Sequence, residues 1–137
     1  MIREKSDYQD KKQTLKTYFG YDSFRPGQEE IVDRILAGQD VLAVMPTGAG
    51  KSLCYQLPAL LMTGISIVVS SLMTDQVKAL NEAGVHAAYI NSSLTENQIA
   101  RALELAAAGR YKIIYVARNV WRRPGFWILP AIRSCRC

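Results

Sequence analysis

A chain of 137 residues, 49% hydrophobic and 21% charged, has the length and make-up of one globular domain able to bury a core. Its apolar stretches, such as Leu57–Met62, are far too short to cross a bilayer, and the polar start Met1–Lys16 lacks the apolar run of a secretory leader. The formal net charge of +5 comes entirely from the end: residues 1–117 hold 12 basic and 12 acidic groups, whereas Arg118–Cys137 holds five arginines and no acid. Such a tail can bind phosphates without sequence preference, but the balanced body carries no global nucleic-acid signal. Cys54, Cys135 and Cys137 give neither a zinc-ligand spacing nor a disulfide framework, which fits a reducing, cytoplasmic setting.

In chain order, Tyr8–Phe19 reads as a helix stopped by Gly20, followed by the turn-rich run Tyr21–Gly27. Gln28–Leu36 is helical, with Ile31, Ile35 and Leu36 on one face. A strand–helix alternation then begins. Val41–Met45 is wholly apolar, as expected of a strand buried on both faces, and Lys51–Met62 is helical. Ser66–Ser70 reads as a strand, Thr74–Ala83 as a helix ending at Gly84, and Val85–Ile90 as a further strand with His86, the only histidine, in a packing role. Thr95-Glu96-Asn97-Gln98 has the form of a capping box opening a helix that runs to Ala108 and stops at Gly109. Lys112–Ala117 is the last strand. The alternation predicts an α/β fold, a parallel sheet with flanking helices.

Between the predicted strand Val41–Met45 and its helix lies Pro46-Thr47-Gly48-Ala49-Gly50-Lys51-Ser52. The placement carries the chemistry. Gly48 and Gly50 allow backbone N–H groups to turn around phosphate oxygens, and the helix beginning near Lys51 offers its unpaired N–H groups to the same anion. Lys51 is placed to reach the β- and γ-phosphates of a nucleoside triphosphate, and the Ser52 hydroxyl to bind Mg²⁺. Thr47 through Ser52 are therefore the phosphate-binding candidates. The full Gly-x-x-x-x-Gly-Lys-Ser pattern is incomplete, because Met45 stands where its first glycine would be.

The run Met45-Pro46-Thr47 before Gly48-Ala49-Gly50-Lys51-Ser52 resembles the phosphate loop of superfamily 2 helicases, and the residues around it resemble the RecQ family. Leu15-x-x-x-Phe19-Gly20-Tyr21-x-x-Phe24-Arg25-Pro26-Gly27-Gln28 is similar to that family's motif 0, and Ser52–Ala59 to its continuation of the phosphate loop. Ser71-Leu72-Met73-x-Asp75-Gln76-Val77 is similar to the end of motif Ia, and Asn91–Leu94 to the DNA-facing loop that follows. The resemblance implies a RecA-like P-loop domain and an enzyme that couples ATP hydrolysis, with Mg²⁺, to 3′–5′ movement on single-stranded or forked DNA. It also implies that Gln28 hydrogen-bonds the adenine edge while Tyr21 and Arg25 pack on the ring, and that Ser70, Ser71, Gln76, Asn91 and Ser92 meet DNA phosphates. Phe24 reads as core rather than ligand.

Two departures alter the expectation. Relatives read Ser-Pro-Leu-Ile-Ser-Leu-Met where this chain has Ser70-Ser71-Leu72-Met73; a three-residue gap shifts helical phase by roughly 300° and should weaken DNA contact there. After Ala117 the family continues Pro-Glu-Arg-Leu and later reaches Asp-Glu-Ala-His, whereas this chain reads Arg118-Asn119-Val120-Trp121-Arg122. Deleting one base from codons for Pro-Glu-Arg-Leu-Glu gives that peptide, so residues 118–137 read as an out-of-frame tail after a partial helicase domain of residues 1–117. The acids after the phosphate loop are Asp75, Glu82, Glu96 and Glu104, none of them ending an apolar strand, so this chain alone is expected not to hydrolyse ATP or unwind DNA. Alternative readings are a non-catalytic nucleotide-binding or remnant fragment, and a small P-loop kinase, in which motif 0 would have no role.

Overall fold

The computed structural model describes residues 10–71 and 74–123. The expected helix start at Tyr8, the Leu72-Met73 pair and the tail beyond Arg123 lie outside the described residues. The chain divides into two compact units, Met1–Thr63 and Gly64–Cys137.

In the first unit, residues 10–14 are α-helical and continue into a wider π-helical turn, Leu15–Phe19. Gly20 ends it in the left-handed conformation (φ 74°), its N–H donating to the Lys16 carbonyl at 3.1 Å. Arg25-Pro26-Gly27-Gln28 then forms a type II turn. Gly27 takes the positive φ of 83° that this turn requires, and the Gln28 N–H donates to the Arg25 carbonyl at 3.1 Å. Helix α1 (Gln28–Leu36) leaves the turn directly, and helix α2 (Lys51–Leu61) packs against it. Leu15, Val32, Leu53 and Leu57 form the core, with Phe19, Phe24, Leu36 and Leu61 packed around them. Phe24 is thus a packing residue, as its apolar character suggests.

Lys11 secures the first helical segment to α1. Its side chain is buried, and its ammonium pairs with Glu29 at 3.1 Å and also with Asp33, one turn further along α1. Burial acts to lower the Lys11 pKa, but the hydrogen bonds and charges of Asp33 and Glu29 outweigh it and hold the group above its ordinary 10.5. A pKa raised on folding stabilises the fold in full at neutral pH, and the contribution is lost only as pH climbs past 10.5 through the folded value. Lys11→Met is expected to reduce stability by about 1–3 kcal/mol at pH 7, seen as a lower urea midpoint. An unchanged midpoint would mean that desolvation of the lysine cancels its pairing.

The predicted strand Val41–Met45 is not formed. Residues 39–46 have no regular secondary structure, and Leu42 and Val44 are 94% and 93% exposed. An apolar run becomes a strand only when neighbouring strands take its N–H and C=O groups, and no ladder among the described residues includes this segment.

The second unit is a three-stranded parallel sheet in the order β1-β3-β2, with β1 Ser66–Val69, β2 Ala87–Ile90 and β3 Ile113–Val116. Registers are regular: Ser66 and Ala87 both face Ile113, and Val69 and Ile90 both face Val116. All four residues of β3 are buried, as befits a central strand read from a continuous apolar run. Helix α3 (Thr74–Glu82) packs on β2 through its buried Val77 and Leu80. Asn81 joins the two elements by accepting the Ala87 N–H at 3.0 Å and donating to the Ala87 carbonyl at 3.1 Å, the exchange a further strand would make. Helix α4 (Glu96–Ala107) opens with the complete capping box: Thr95 accepts from the Gln98 N–H at 3.3 Å, and Gln98 accepts from the Thr95 N–H at 2.9 Å.

The short helix α5 (Arg118–Trp121) lies at the start of the stretch read as a foreign tail, yet its Val120 is fully buried. Val120 joins Ile90, Ile99, Leu103, Ile114 and Val116 in the core of the second unit. Among the described residues no helix is long and apolar enough to cross a membrane.

Candidate functional site

The turn that starts α1 and the loop that starts α2 are bonded to one another. Gln28 is only 3% exposed, and its amide is engaged on both sides. The oxygen Oε1 accepts the Arg25 N–H at 2.8 Å, while Nε2 donates to the Gly50 carbonyl at 3.0 Å and lies 3.4 Å from that of Ala49. Arg25 adds Nη1 to the Gly48 carbonyl at 2.5 Å. Within one peptide unit the C=O and the next N–H point in opposite directions. Holding the Gly50 carbonyl toward Gln28 therefore turns the Lys51 N–H away from it.

The loop has the glycine geometry expected of an anion-binding turn. Gly48 and Gly50 take φ of 81° and 77°, and Gly50 is the N-cap of α2 with no side chain bonded to the exposed helix end. A Cβ on Gly50 would lie 2.3 Å from Gln28 Nε2, so bare backbone is needed there for the side chain to approach. One amide is already committed: the Ala49 N–H donates to the Pro46 carbonyl at 3.2 Å, closing a tight turn. Phosphate binding by the entire loop would open that bond. Lys51 is exposed, Ser52 is half-buried, and Tyr21 is half exposed beside the end of the first helical segment. The residues present fit a triphosphate: left-handed glycines, an uncapped eleven-residue helix, an exposed ammonium and an adjacent hydroxyl.

Sequence reasoning missed the Gln28–Gly50 and Arg25–Gly48 bonds. The signal was limited to glycine at position 50, whose reason is a contact made by a residue 22 positions away.

In the second unit, Ser70, Ser71 and Asn91 line one cleft of about 510 Å³ at the carboxyl ends of the strands. Gln76 lies in α3 and Ser92 in the turn after β2, and neither lines it. Asn91 accepts from the Ser93 N–H and hydroxyl at 3.1 and 2.5 Å, which fixes this turn. The acids that follow the phosphate loop all fall on helices: Asp75 and Glu82 on α3, Glu96 and Glu104 on α4. Among the described residues no cluster of three metal-binding side chains occurs.

A loop with left-handed glycines opening a helix in one unit, and a parallel sheet with flanking helices in the other, are the elements of a P-loop α/β protein, and comparison with known families makes this specific. Residues 25–125 match the model of the DEAD/DEAH box helicases. The chain belongs to that helicase family. It is 49% identical over 106 residues to the ATP-dependent DNA helicase RecQ of Bacillus subtilis, a match covering 74% of this chain and 18% of that protein. The RecQ of Haemophilus influenzae is equally similar, at 49% over 106 residues, with 75% and 17% covered. The probable ATP-dependent DNA helicase RecS of Bacillus subtilis is 42% identical over 126 residues, 89% of this chain and 25% of its own. The chain thus spans between a sixth and a quarter of the length of these relatives, all of them named as ATP-dependent enzymes.

Proposed function

We propose that this chain is the nucleotide-binding portion of a RecQ-type, 3′–5′ ATP-dependent DNA helicase, and that on its own it binds ATP without hydrolysing it. The observation that carries the reading is the pair of bonds from Gln28 and Arg25 to the carbonyls of Gly50 and Gly48. A stretch of side chains suited to a purine is thereby tied to a loop suited to its phosphates. The α2 N-terminus and Lys51 hold the β- and γ-phosphates, and the Ser52 hydroxyl holds the Mg²⁺ that accompanies them. Thr47, Gly48, Ala49 and Gly50 wrap the anion. Tyr21 and Arg25 offer flat faces to adenine. Gln28 has one donor and one acceptor for the base edge, and it reads adenine by exchanging bonds it now makes within the protein.

Bound ATP–Mg²⁺ would supply the reactive γ-phosphoryl group. This chain supplies binding and orientation, while its four later acids sit on helices and none ends a strand, the position expected of an acid that orients the attacking water. In this reading residues 1–117 are the helicase portion, residues 118–137 depart from it, and the protein acts in the cytoplasm on single-stranded or forked DNA. Ser70, Ser71, Gln76, Asn91 and Ser92 are the proposed phosphodiester contacts.

Titration with fluorescent ATP and GTP analogues, on the wild type and on Gln28→Ala, tests the reading. ATP should bind about tenfold more tightly than GTP, and the variant should lose that preference while still binding triphosphate. Phosphate release in the presence of single-stranded DNA should stay at background. Equal affinity for the two nucleotides in the wild type, or sustained turnover, would overturn it.

A further inference from the structure

We propose that the cleft at the carboxyl edge of the β1-β3-β2 sheet grips the phosphodiester backbone of single-stranded nucleic acid, with Arg118 and Arg122 as its charged contacts. The inference deepens the proposed DNA binding and rests on it; the arginine pair is what it adds.

Three features of the cleft point the same way. It opens where the parallel strands end, the edge at which open α/β sheets receive ligands, and it gathers Ser70 after β1, Asn91 after β2 and Arg118 after β3. Its volume of about 510 Å³ is lined by hydroxyls and amides, by the aromatic Tyr89 and by the two arginines, with no acidic residue among them. Arg118 and Arg122 stand four positions apart, joined by the Arg122 N–H to Arg118 carbonyl bond at 3.3 Å, and both are exposed. That spacing sets two guanidinium groups on one face of the chain as it turns.

The chemistry selects the ligand. Two guanidinium forks with serine hydroxyls match phosphate oxygens. The oxygen of the Asn91 amide is spent on Ser93, which leaves its NH₂ half as a donor. Tyr89 gives an unpaired base a ring to stack on, which a base held in a duplex cannot use. Successive phosphates and a base, rather than a lone anion, use the whole cleft.

The test is the salt dependence of binding of the full chain to a fluorescent oligothymidylate. Each phosphate contact on a single strand contributes about 0.7 to the slope of log affinity against log salt. The double variant Arg118→Ala with Arg122→Ala should lower that slope by about 1.4 and weaken binding at least tenfold near 0.1 M salt. Arg118→Lys with Arg122→Lys should keep most of the slope. Arg101→Ala with Arg110→Ala, arginines that do not line the cleft, should leave it unchanged. Thermal melts of all variants report on folding, and the exposed positions of Arg118 and Arg122 predict unchanged midpoints.

A wild type that binds with a slope the double variant retains overturns the arginine assignment while leaving the proposed DNA binding standing. A wild type that binds no oligonucleotide overturns both. Displacement of the oligonucleotide by inorganic phosphate or ATP at matched phosphate concentration would show a lone-phosphate pocket and overturn the backbone-tracking reading.

Discussion

Gly50→Ala should lose nucleotide binding and stability together. The new Cβ would sit 2.3 Å from the Gln28 amide nitrogen, on a residue whose φ is 77°. The left-handed backbone costs a substituted residue about 1–2 kcal/mol. Pushing the buried Gln28 amide off the Gly50 carbonyl strands a donor at a further cost of about 1–3 kcal/mol. Together these should lower stability by about 2–5 kcal/mol, measured by urea titration. Affinity for a fluorescent ATP analogue should fall more than tenfold, because the added Cβ both displaces the Gln28 amide proposed to read the base and strains the loop proposed to wrap the phosphates. Gly48→Ala is the internal control. Gly48 has a φ of 81° but nothing within 4 Å of the added carbon, so it should incur only the backbone term. If the two variants were equally damaged, steric conflict with Gln28 would have no part in the role of Gly50.

A second large effect is expected in the other unit. Ile90→Ala removes a fully buried side chain at the end of β2, packed with Leu103, Ile114 and Val116. Large-to-small changes at such sites cost about 2–5 kcal/mol, the spread reflecting how far the cavity can close. Far-ultraviolet circular dichroism in urea should show the loss. Because Ile90 immediately precedes Asn91, oligonucleotide affinity should fall with it even below the melting transition. A loss under 1 kcal/mol would mean that the surrounding helices collapse into the space.

The elements that local rules govern were readable in the amino-acid sequence. Gly20, Gly84 and Gly109 ended helices with positive φ, Thr95 and Gln98 formed their reciprocal cap, and the apolar runs after Gly64, Gly84 and Gly109 became β1, β2 and β3. What escaped is what depends on a distant partner. Val41–Met45 has the composition of a buried strand, but a strand is a relation between two backbones, and its composition cannot say whether the second is present. The phosphate loop was legible as a loop, since its glycines and Lys-Ser pair are contiguous. Its attachment to Gln28 was not, since an amide that could read a base can equally bond a carbonyl, and only folded geometry chooses. The cleft was legible in part: Ser70, Ser71 and Asn91 came together, while Arg118 and Arg122 joined them from a stretch that composition alone had set apart.

The sheet order has a consequence for how the protein is made. Among the described residues β1 and β2 each pair only with β3, and β3 is the last of the three to be synthesised. Until residues 113–116 have left the ribosome, the first two strands have no hydrogen-bonding neighbour in the sheet, so hairpin-like growth from the amino terminus is closed to this unit. Its sheet zips from the centre outward once β3 has emerged, and until then α3 and the capped helix α4 are the elements of this unit that can form from local contacts alone.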